Sequence, residues 1–105
     1  AVFGKVGSDL TLEEGYQAAR LTGLNLLSQL KNEVDDLDKV RIIKVLAFVA
    51  SAPDFLQQPA VMNGVSDLFA EVFGEKGLHA RSAVAVTQLP FNIPIEVEMI
   101  AEIEE

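Results

Sequence analysis

The 105-residue chain contains no cysteine and no tryptophan, and it has a single histidine, His79. The absence of cysteine excludes a disulfide framework and thiol chemistry. It fits an intracellular protein, and we expect a cytoplasmic one. One histidine cannot build a multi-histidine site, and no histidine–carboxylate cluster has metal-ligand spacing, so we expect no metal. The chain also lacks the G-x-G-x-x-G, P-loop and G-x-S-x-G signatures of nucleotide binding and serine hydrolysis.

Long hydrophobic runs are missing as well. The longest clean apolar run is VLAFVA, residues 45–50, whereas a membrane-spanning helix needs about 20 apolar residues. No cationic leader precedes an apolar segment, so we expect neither a signal peptide nor a membrane partner.

Positive charge is scarce. Eight lysines and arginines stand against sixteen aspartates and glutamates, which gives a formal net charge of −8. Such a field repels polyanions, so we expect no nucleic-acid partner. Half of the residues are hydrophobic, as in globular proteins, and the length fits one domain over residues 1–105.

The first half of the chain predicts one helix and one central strand. Residues 1–10 contain two glycines and no helical period, which indicates a short strand or extended end followed by a loop. Thr11 and Glu14 have the spacing of a capping box, and the apolar residues that follow predict a helix over 12–33. The β-branched run over 40–50 predicts a strand that is apolar on both sides and therefore central. Simple alternation assigns its residues to two faces: Val40, Ile42, Lys44, Leu46 and Phe48 on one, and Arg41, Ile43, Val45, Ala47 and Val49 on the other.

The second half predicts a helix and two strands. A helix lies within residues 51–77, with Pro59 tolerated in its first turn. A strand is predicted over 81–89, a proline-bounded turn over 90–94, and a last strand from Ile95 onward. The order strand, helix, strand, helix, strand, strand indicates an α+β fold with two helices on one face of a mixed sheet.

Arg81 is the first candidate for a functional residue, because it begins an apolar strand. A guanidinium offers a planar pair of donors that can clamp a carboxylate or phosphate. The alternative is an ordinary salt bridge with one of the sixteen acids.

Three further residues are candidates. Glu96 lies with Glu98 on one face of the last strand, where a carboxylate in a dry cleft can orient or activate water. The alternative is a carboxylate in solvent. Asn63, early in the second helix, could bind a polar ligand atom or serve a local turn. His79 could contact an anion beside Arg81 or be an ordinary surface residue.

Three stretches resemble one known family. HARSAVAVTQLPFNIPIEVEMIAEI, residues 79–103, resembles the C-terminal signature of the YjgF/RidA family of reactive-intermediate deaminases. In that signature an Ala-Arg-Ser start leads an alternating strand, followed by Leu-Pro and then Glu-x-Glu. GKVGSDLTLEEGYQAAR and VLAFVASAPDFLQQPAVMNGVSDLFAEVFGE extend the resemblance along the chain, to a less-studied branch of the family.

The resemblance implies both a fold and an activity. The fold would be a two-layer sandwich like that of chorismate mutase, usually assembled as a homotrimer with sites in the clefts between subunits. The activity would be enamine/imine deamination, in which 2-aminoacrylate-type intermediates become 2-keto acids and ammonia without a cofactor. Arg81 would hold the substrate carboxylate, Glu96 would position the hydrolytic water, and Asn63 would bind substrate.

One departure from the family affects the site. Family members usually begin with two further strands that contribute to the cleft, and this chain starts after that hairpin. If the last two strands formed a simple hairpin, Arg81 and Glu96 would lie roughly 25 Å apart. Either the strands are then not hairpin partners or the two residues meet across subunits.

Two other functions stay open from the sequence. A trimer could bind keto acids or similar metabolites without turnover, using the same Arg81. A ribonuclease or translation inhibitor, an activity also ascribed to some family members, is disfavoured by the charge of −8 and by the lack of a basic stripe.

Overall fold

Two α-helices and three strands follow one another between residues 12 and 104, in the order predicted for this part of the chain. The computed structural model describes residues 2–104, so Ala1 and Glu105, which belong to the predicted end segments, lie outside the described residues. The elements are helix α1 (Leu12–Glu33), strand β1 (Val40–Ala50), helix α2 (Gln58–Phe73), strand β2 (Ala80–Val86) and strand β3 (Ile95–Ile103). Residues 2–11 form turns and two isolated bridges at Val6, so the extended reading of the opening holds and a regular strand there does not.

The three strands form one mixed sheet with β1 in the middle. The order is β2-β1-β3; β1 runs parallel to β2 and antiparallel to β3. The central position agrees with the two apolar sides of β1. Because β1 lies between β2 and β3, the last two strands are not hairpin partners.

A β-bulge overturns the predicted faces of β1. The pairing with β3 shifts register between Ile42 and Lys44, and a bulge inserts one extra residue, Ile43, into the alternation. The side chains buried beneath the helices are therefore Val40, Ile42, Val45, Ala47 and Val49. Simple alternation was right on either side of the bulge and wrong across it.

Both helices pack on one face of the sheet, which confirms the predicted α+β architecture. The capping box of α1 is present: Thr11 Oγ1 accepts from the backbone N–H of Glu14, and Glu14 Oε1 accepts from that of Thr11. Helix α2 ends where Gly74 adopts a φ of 61°, a conformation that glycine reaches without steric cost. Within residues 2–104, neither helix is long and apolar enough to cross a bilayer.

No helix among residues 2–104 covers the other face of the sheet. Leu46 and Phe48 are half-buried there, and their neighbours Val84 and Ile100 are 41% and 61% exposed. We call this surface the open face; it is apolar along β1 and bears the glutamates of β3 at one side.

Two polar pairs join the outer sides of the helices. Tyr16 Oη donates to Asp67 Oδ2 at 2.7 Å, and Arg20 Nη2 lies 2.7 Å from Glu71 Oε2. The hydrogen bond to Asp67 raises the pKa of Tyr16 above its usual 10.0, with smaller contributions from desolvation and the nearby carboxylate charge.

We expect Tyr16→Phe to reduce the loss of stability that the protein undergoes at alkaline pH. A raised pKa in the folded state means that the bond to Asp67 stabilises the protein fully below pH 10 and is lost as the pH rises through the folded value. Urea midpoints from pH 8 to 11.5 should therefore fall more steeply in the wild type than in the variant. If the urea midpoints of the two proteins fall equally with pH, the Tyr16–Asp67 hydrogen bond does not contribute to stability in solution.

Candidate functional site

Arg81 lies near the start of β2 and points toward the helices. Its partner in the register is Val45, a fully buried residue on the helix side of β1. The Arg81 side chain consequently reaches α2, where Nη1 donates to Asn63 Oδ1 at 2.7 Å and to Ser66 Oγ at 3.1 Å. The structure thus brings together two of the predicted site residues, Arg81 and Asn63.

Arg81 is held by neutral groups rather than by an acid. Within residues 2–104 the ion pairs are Arg20–Glu71 and Lys76–Glu104, and Arg81 belongs to neither. The predicted alternative, a salt bridge, is therefore not made among these residues. Nη1 alone makes the two bonds to α2, so the edge of the guanidinium formed by Nε and Nη2 can donate two parallel hydrogen bonds to a carboxylate.

Two further residues complete the cluster: His79, which the sequence analysis named as a candidate, and Ser66, which it did not. Ser66 Oγ lies 3.1 Å from His79 Nε2, and His79 Nδ1 contacts the carbonyl oxygen of Gly77. The imidazole also meets the ring of Phe69 edge to face, with ring centroids 5.9 Å apart. We call Asn63, Ser66, His79 and Arg81 the Arg81 cluster.

Local structure explains why these four residues meet. Asn63 and Ser66 are three residues apart on α2 and share one side of that helix. His79 immediately precedes β2 and Arg81 is the second residue of that strand. In an extended chain, this spacing of two residues points both side chains to one face. His79 is half-buried rather than an ordinary surface residue. The sequence contained these two spacings, i, i+3 for Asn63 and Ser66 and i, i+2 for His79 and Arg81. It did not show that the two pairs meet, because that contact depends on the packing of α2 against β2.

Glu96 lies on the opposite face of the sheet from Arg81. Ile95, Val97 and Met99 pack toward the helices, so Glu96 projects from the open face, where it pairs with Phe48. Two strand spacings and three residues separate Arg81 from Glu96, or about 14 Å between Cα atoms. Within one chain the structure does not bring Glu96 to the Arg81 cluster.

Two clefts of the described part of the chain lie away from Arg81. One cleft of about 350 Å³ runs between α1 and the start of β3, lined by Leu21, Asn25 and Glu96 among others. A smaller one of about 130 Å³ lies on the open face beside Lys44 and Glu98. Arg81 lines neither of these two clefts, and its strand β2 lies at one edge of the described sheet. Between residues 2 and 104, no group of three or more histidine, aspartate or glutamate side chains could hold a metal ion.

The fold and the cluster define a small α+β sandwich with a polar site beside its edge strand. Residues 2–103 match the family model described as "YjgF/chorismate_mutase-like, putative endoribonuclease". The chain belongs to this YjgF/chorismate mutase-like family.

Relatives and solved structures agree with this assignment. The chain is similar to Protein TCP17 of Trypanosoma cruzi, with 47% identity over 95% of this chain and 64% of that protein. It is also similar to the "Putative regulator AldR" of Lactococcus lactis, with 36% identity over 76% of this chain and 56% of that protein. The chain thus spans less than two thirds of the length of both relatives.

Two solved structures share the fold closely. Protein Atu1372 of Agrobacterium tumefaciens, described as of unknown function, has a TM-score of 0.97 and 46% identity over 100% of this chain and 68% of that one. A "putative endoribonuclease" from Shewanella oneidensis has a TM-score of 0.93 and 33% identity, covering 96% and 68%. The expected two-layer, chorismate-mutase-like fold is confirmed.

Proposed function

We propose that this chain is an enamine/imine deaminase that hydrolyses 2-aminoacrylate-type intermediates to 2-keto acids and ammonia. The observation that carries the proposal is the guanidinium of Arg81. Two neutral side chains of α2 orient it, and no acid among residues 2–104 forms an ion pair with it. Family membership directs the choice of substrate, since the resemblance implies this chemistry for Arg81 and Glu96.

Each site residue has a distinct task in this reaction. The enamine tautomerises to an imine, and Arg81 binds its carboxylate through two parallel hydrogen bonds. Asn63 accepts from Arg81 through Oδ1, which leaves the donors of its amide nitrogen for the substrate. Glu96 positions the water that attacks the imine carbon. The imine is already electrophilic, so orientation and electrostatics suffice and no cofactor is needed.

We place this site between subunits of a homotrimer. Arg81 and Glu96 project from opposite faces of one sheet, so a single substrate contacts both only when they come from different chains. The open face supplies an apolar surface for such an assembly, with Val84 and Ile100 exposed beside Leu46 and Phe48. Contiguous exposed apolar surface is typical of sites where proteins associate.

The direct test is the release of ammonia and pyruvate from enzymatically generated 2-aminoacrylate. We expect the chain to accelerate this release over buffer, and the same assay on a chain extended by the family's two N-terminal strands measures what those strands add. If neither form accelerates the reaction, the deaminase proposal is wrong.

We expect Glu96→Gln to lower kcat about a hundredfold while leaving pyruvate affinity nearly unchanged, because positioning or activation of water by a carboxylate contributes on that scale. Glu98→Gln is the matched control, since Glu98 lies two residues further along the same face and should keep its rate. Equal rates for the Glu96 variant and the wild type would remove Glu96 from the mechanism.

Subunit mixing tests whether the site is shared. We expect Arg81→Ala and Glu96→Gln chains, each inactive alone, to regain about a quarter of the wild-type activity when they are unfolded and refolded together. A shared site takes Arg81 from one chain and Glu96 from its neighbour, and in an equal mixture each position has the intact residue about half of the time. Mixtures that sediment as trimers but stay inactive would contradict a shared site. Arg81 and Glu96 would then act within one chain, or one of them would not belong to the site.

A binding protein without turnover is the second candidate. The similarity to a protein named as a regulator favours it, since a regulator needs affinity and no catalysis. In that case Arg81→Ala would abolish keto-acid binding, and neither wild type nor variant would accelerate ammonia release.

The name endoribonuclease belongs to the family model and to the Shewanella protein. For this chain the net charge of −8 and the exposed glutamates of β3 oppose binding of a polyanion.

A further inference from the structure

The donor and the acceptor can be assigned for each hydrogen bond that links Arg81, Ser66, His79 and Gly77. The carbonyl oxygen of Gly77 can only accept, so Nδ1 of a neutral His79 carries the ring proton and Nε2 presents a lone pair. The Arg81 guanidinium can only donate, so Ser66 Oγ accepts from it. The hydroxyl proton of Ser66 is therefore directed at His79 Nε2.

These hydrogen bonds place the imidazole of His79, which can act as a base, next to the hydroxyl group of Ser66. A side-chain hydroxyl bonded to an imidazole whose other nitrogen is fixed by a third group is the arrangement that moves protons in many enzymes. Ser66 Oγ is hydrogen-bonded both to Arg81 and to the titratable side chain of His79. Glu96, the other candidate base, projects from the opposite face of the sheet.

We propose that Ser66 and His79 are the proton-transfer pair of the Arg81 site, with Ser66 Oγ facing the bound carboxylate substrate and His79 Nε2 as the base behind it. The reaction assigned to the pair rests on the proposed deaminase function. Glu96 of a neighbouring chain then holds the water, and the pair moves its protons.

The proton movements balance over the whole reaction. As water attacks the imine carbon, its proton passes to Ser66 Oγ while the Ser66 proton passes to His79 Nε2, and the C=N electron pair moves to nitrogen. The imidazolium returns its proton through Ser66 to that nitrogen, which gives a carbinolamine. The same route carries the carbinolamine hydroxyl proton to nitrogen as the C–N bond breaks. The products are a 2-keto acid and ammonia, and His79 is neutral again.

The first arm of the test is spectroscopic, and the single histidine makes it unambiguous. Long-range proton–nitrogen NMR spectra of the ¹⁵N-labelled protein should show the Nδ1-protonated tautomer of His79 at neutral pH. Addition of pyruvate should shift the His79 nitrogens, and Ser66→Ala should abolish that shift while pyruvate still binds. A His79 ring protonated at Nε2 would contradict the proposed proton-transfer pair. Ring nitrogens whose chemical shifts do not change on addition of pyruvate would also contradict it.

The second arm is kinetic. His79→Gln keeps an acceptor for the Ser66 hydroxyl but cannot take up a proton, so we expect kcat to fall about a hundredfold with pyruvate affinity retained. Ser66→Ala should do the same, Ser66→Thr should restore part of the rate, and Ser28→Ala, an exposed serine of α1, should change nothing. A wild-type kcat in His79→Gln overturns the proposal. So does a loss of pyruvate affinity as large as the loss of rate, because that would mean the pair only orients Arg81.

The two proposals fail in different ways. If the wild type does not accelerate ammonia release, the deaminase function is wrong and the spectra alone judge the pair. A pyruvate-induced shift of the His79 nitrogens that requires Ser66 then supports proton coupling to the Arg81 site, and the lack of that shift overturns it.

Discussion

Replacing Arg81 by alanine is expected to lower kcat/KM for 2-aminoacrylate about a hundredfold or more, because truncating one partner of a hydrogen-bonded charge pair costs roughly 2–5 kcal/mol. The guanidinium supplies both the charge and the two donors that fix the substrate carboxylate. Its loss also leaves Asn63 Oδ1 and Ser66 Oγ without the donor that orients them. The fold should survive, since the Arg81 side chain is exposed and makes no ion pair within residues 2–104.

Two further variants separate charge from geometry. Arg81→Lys keeps the charge but loses the planar fork, so we expect a rate between those of the alanine variant and the wild type. Arg41→Ala removes another exposed arginine, from β1, and should leave kcat/KM unchanged. The measurement is the initial rate of ammonia release together with pyruvate affinity. An Arg81→Ala protein with the wild-type rate would show that the carboxylate binds elsewhere.

Local signals explain why much of the fold could be predicted. The capping box at Thr11 and Glu14 places the start of α1, and the apolar pattern extends it to Glu33, as observed. The two-sided apolar run of β1 indicated a central strand, and β1 does lie between β2 and β3. Its second apolar side, with Leu46 and Phe48, lies on the open face. These signals act within one turn or one strand, so they can be read directly from the sequence.

The features that sequence reasoning missed depend on contacts distant in the chain. The bulge at Ile43 is set by the pairing of β1 with β3, some sixty residues later. The parallel pairing of β1 with β2 likewise separates β2 from β3 and puts Arg81 and Glu96 on opposite faces. Ser66 and His79 meet only because α2 packs across the start of β2, and neither residue has a neighbour in sequence that signals this contact.

Gly64→Ala is expected to destabilise the protein by about 3 kcal/mol, because it overpacks the contact between the two helices. A Cβ atom at Gly64 would overlap the carbonyl oxygen of Tyr16 and lie 2.9 Å from both Ala19 Cβ and Arg20 N. Two of these three atoms are α1 backbone, so the clash is relieved only if α1 and α2 move apart. In an open helix the same change would stabilise by about 1 kcal/mol.

Ala70→Gly is the matched control for this prediction. Ala70 is exposed on the same helix, so its replacement measures helix propensity alone, and we expect a loss of about 1 kcal/mol. Urea unfolding of both variants gives the comparison, and a Gly64→Ala protein as stable as the wild type would show that the helices do not approach so closely. Because Gly64 lies beside Asn63 and two residues before Ser66, separating α2 from α1 should also displace the groups that hold Arg81. We therefore expect the folded fraction of Gly64→Ala to bind pyruvate more weakly than Ala70→Gly, although neither substitution touches the ligand.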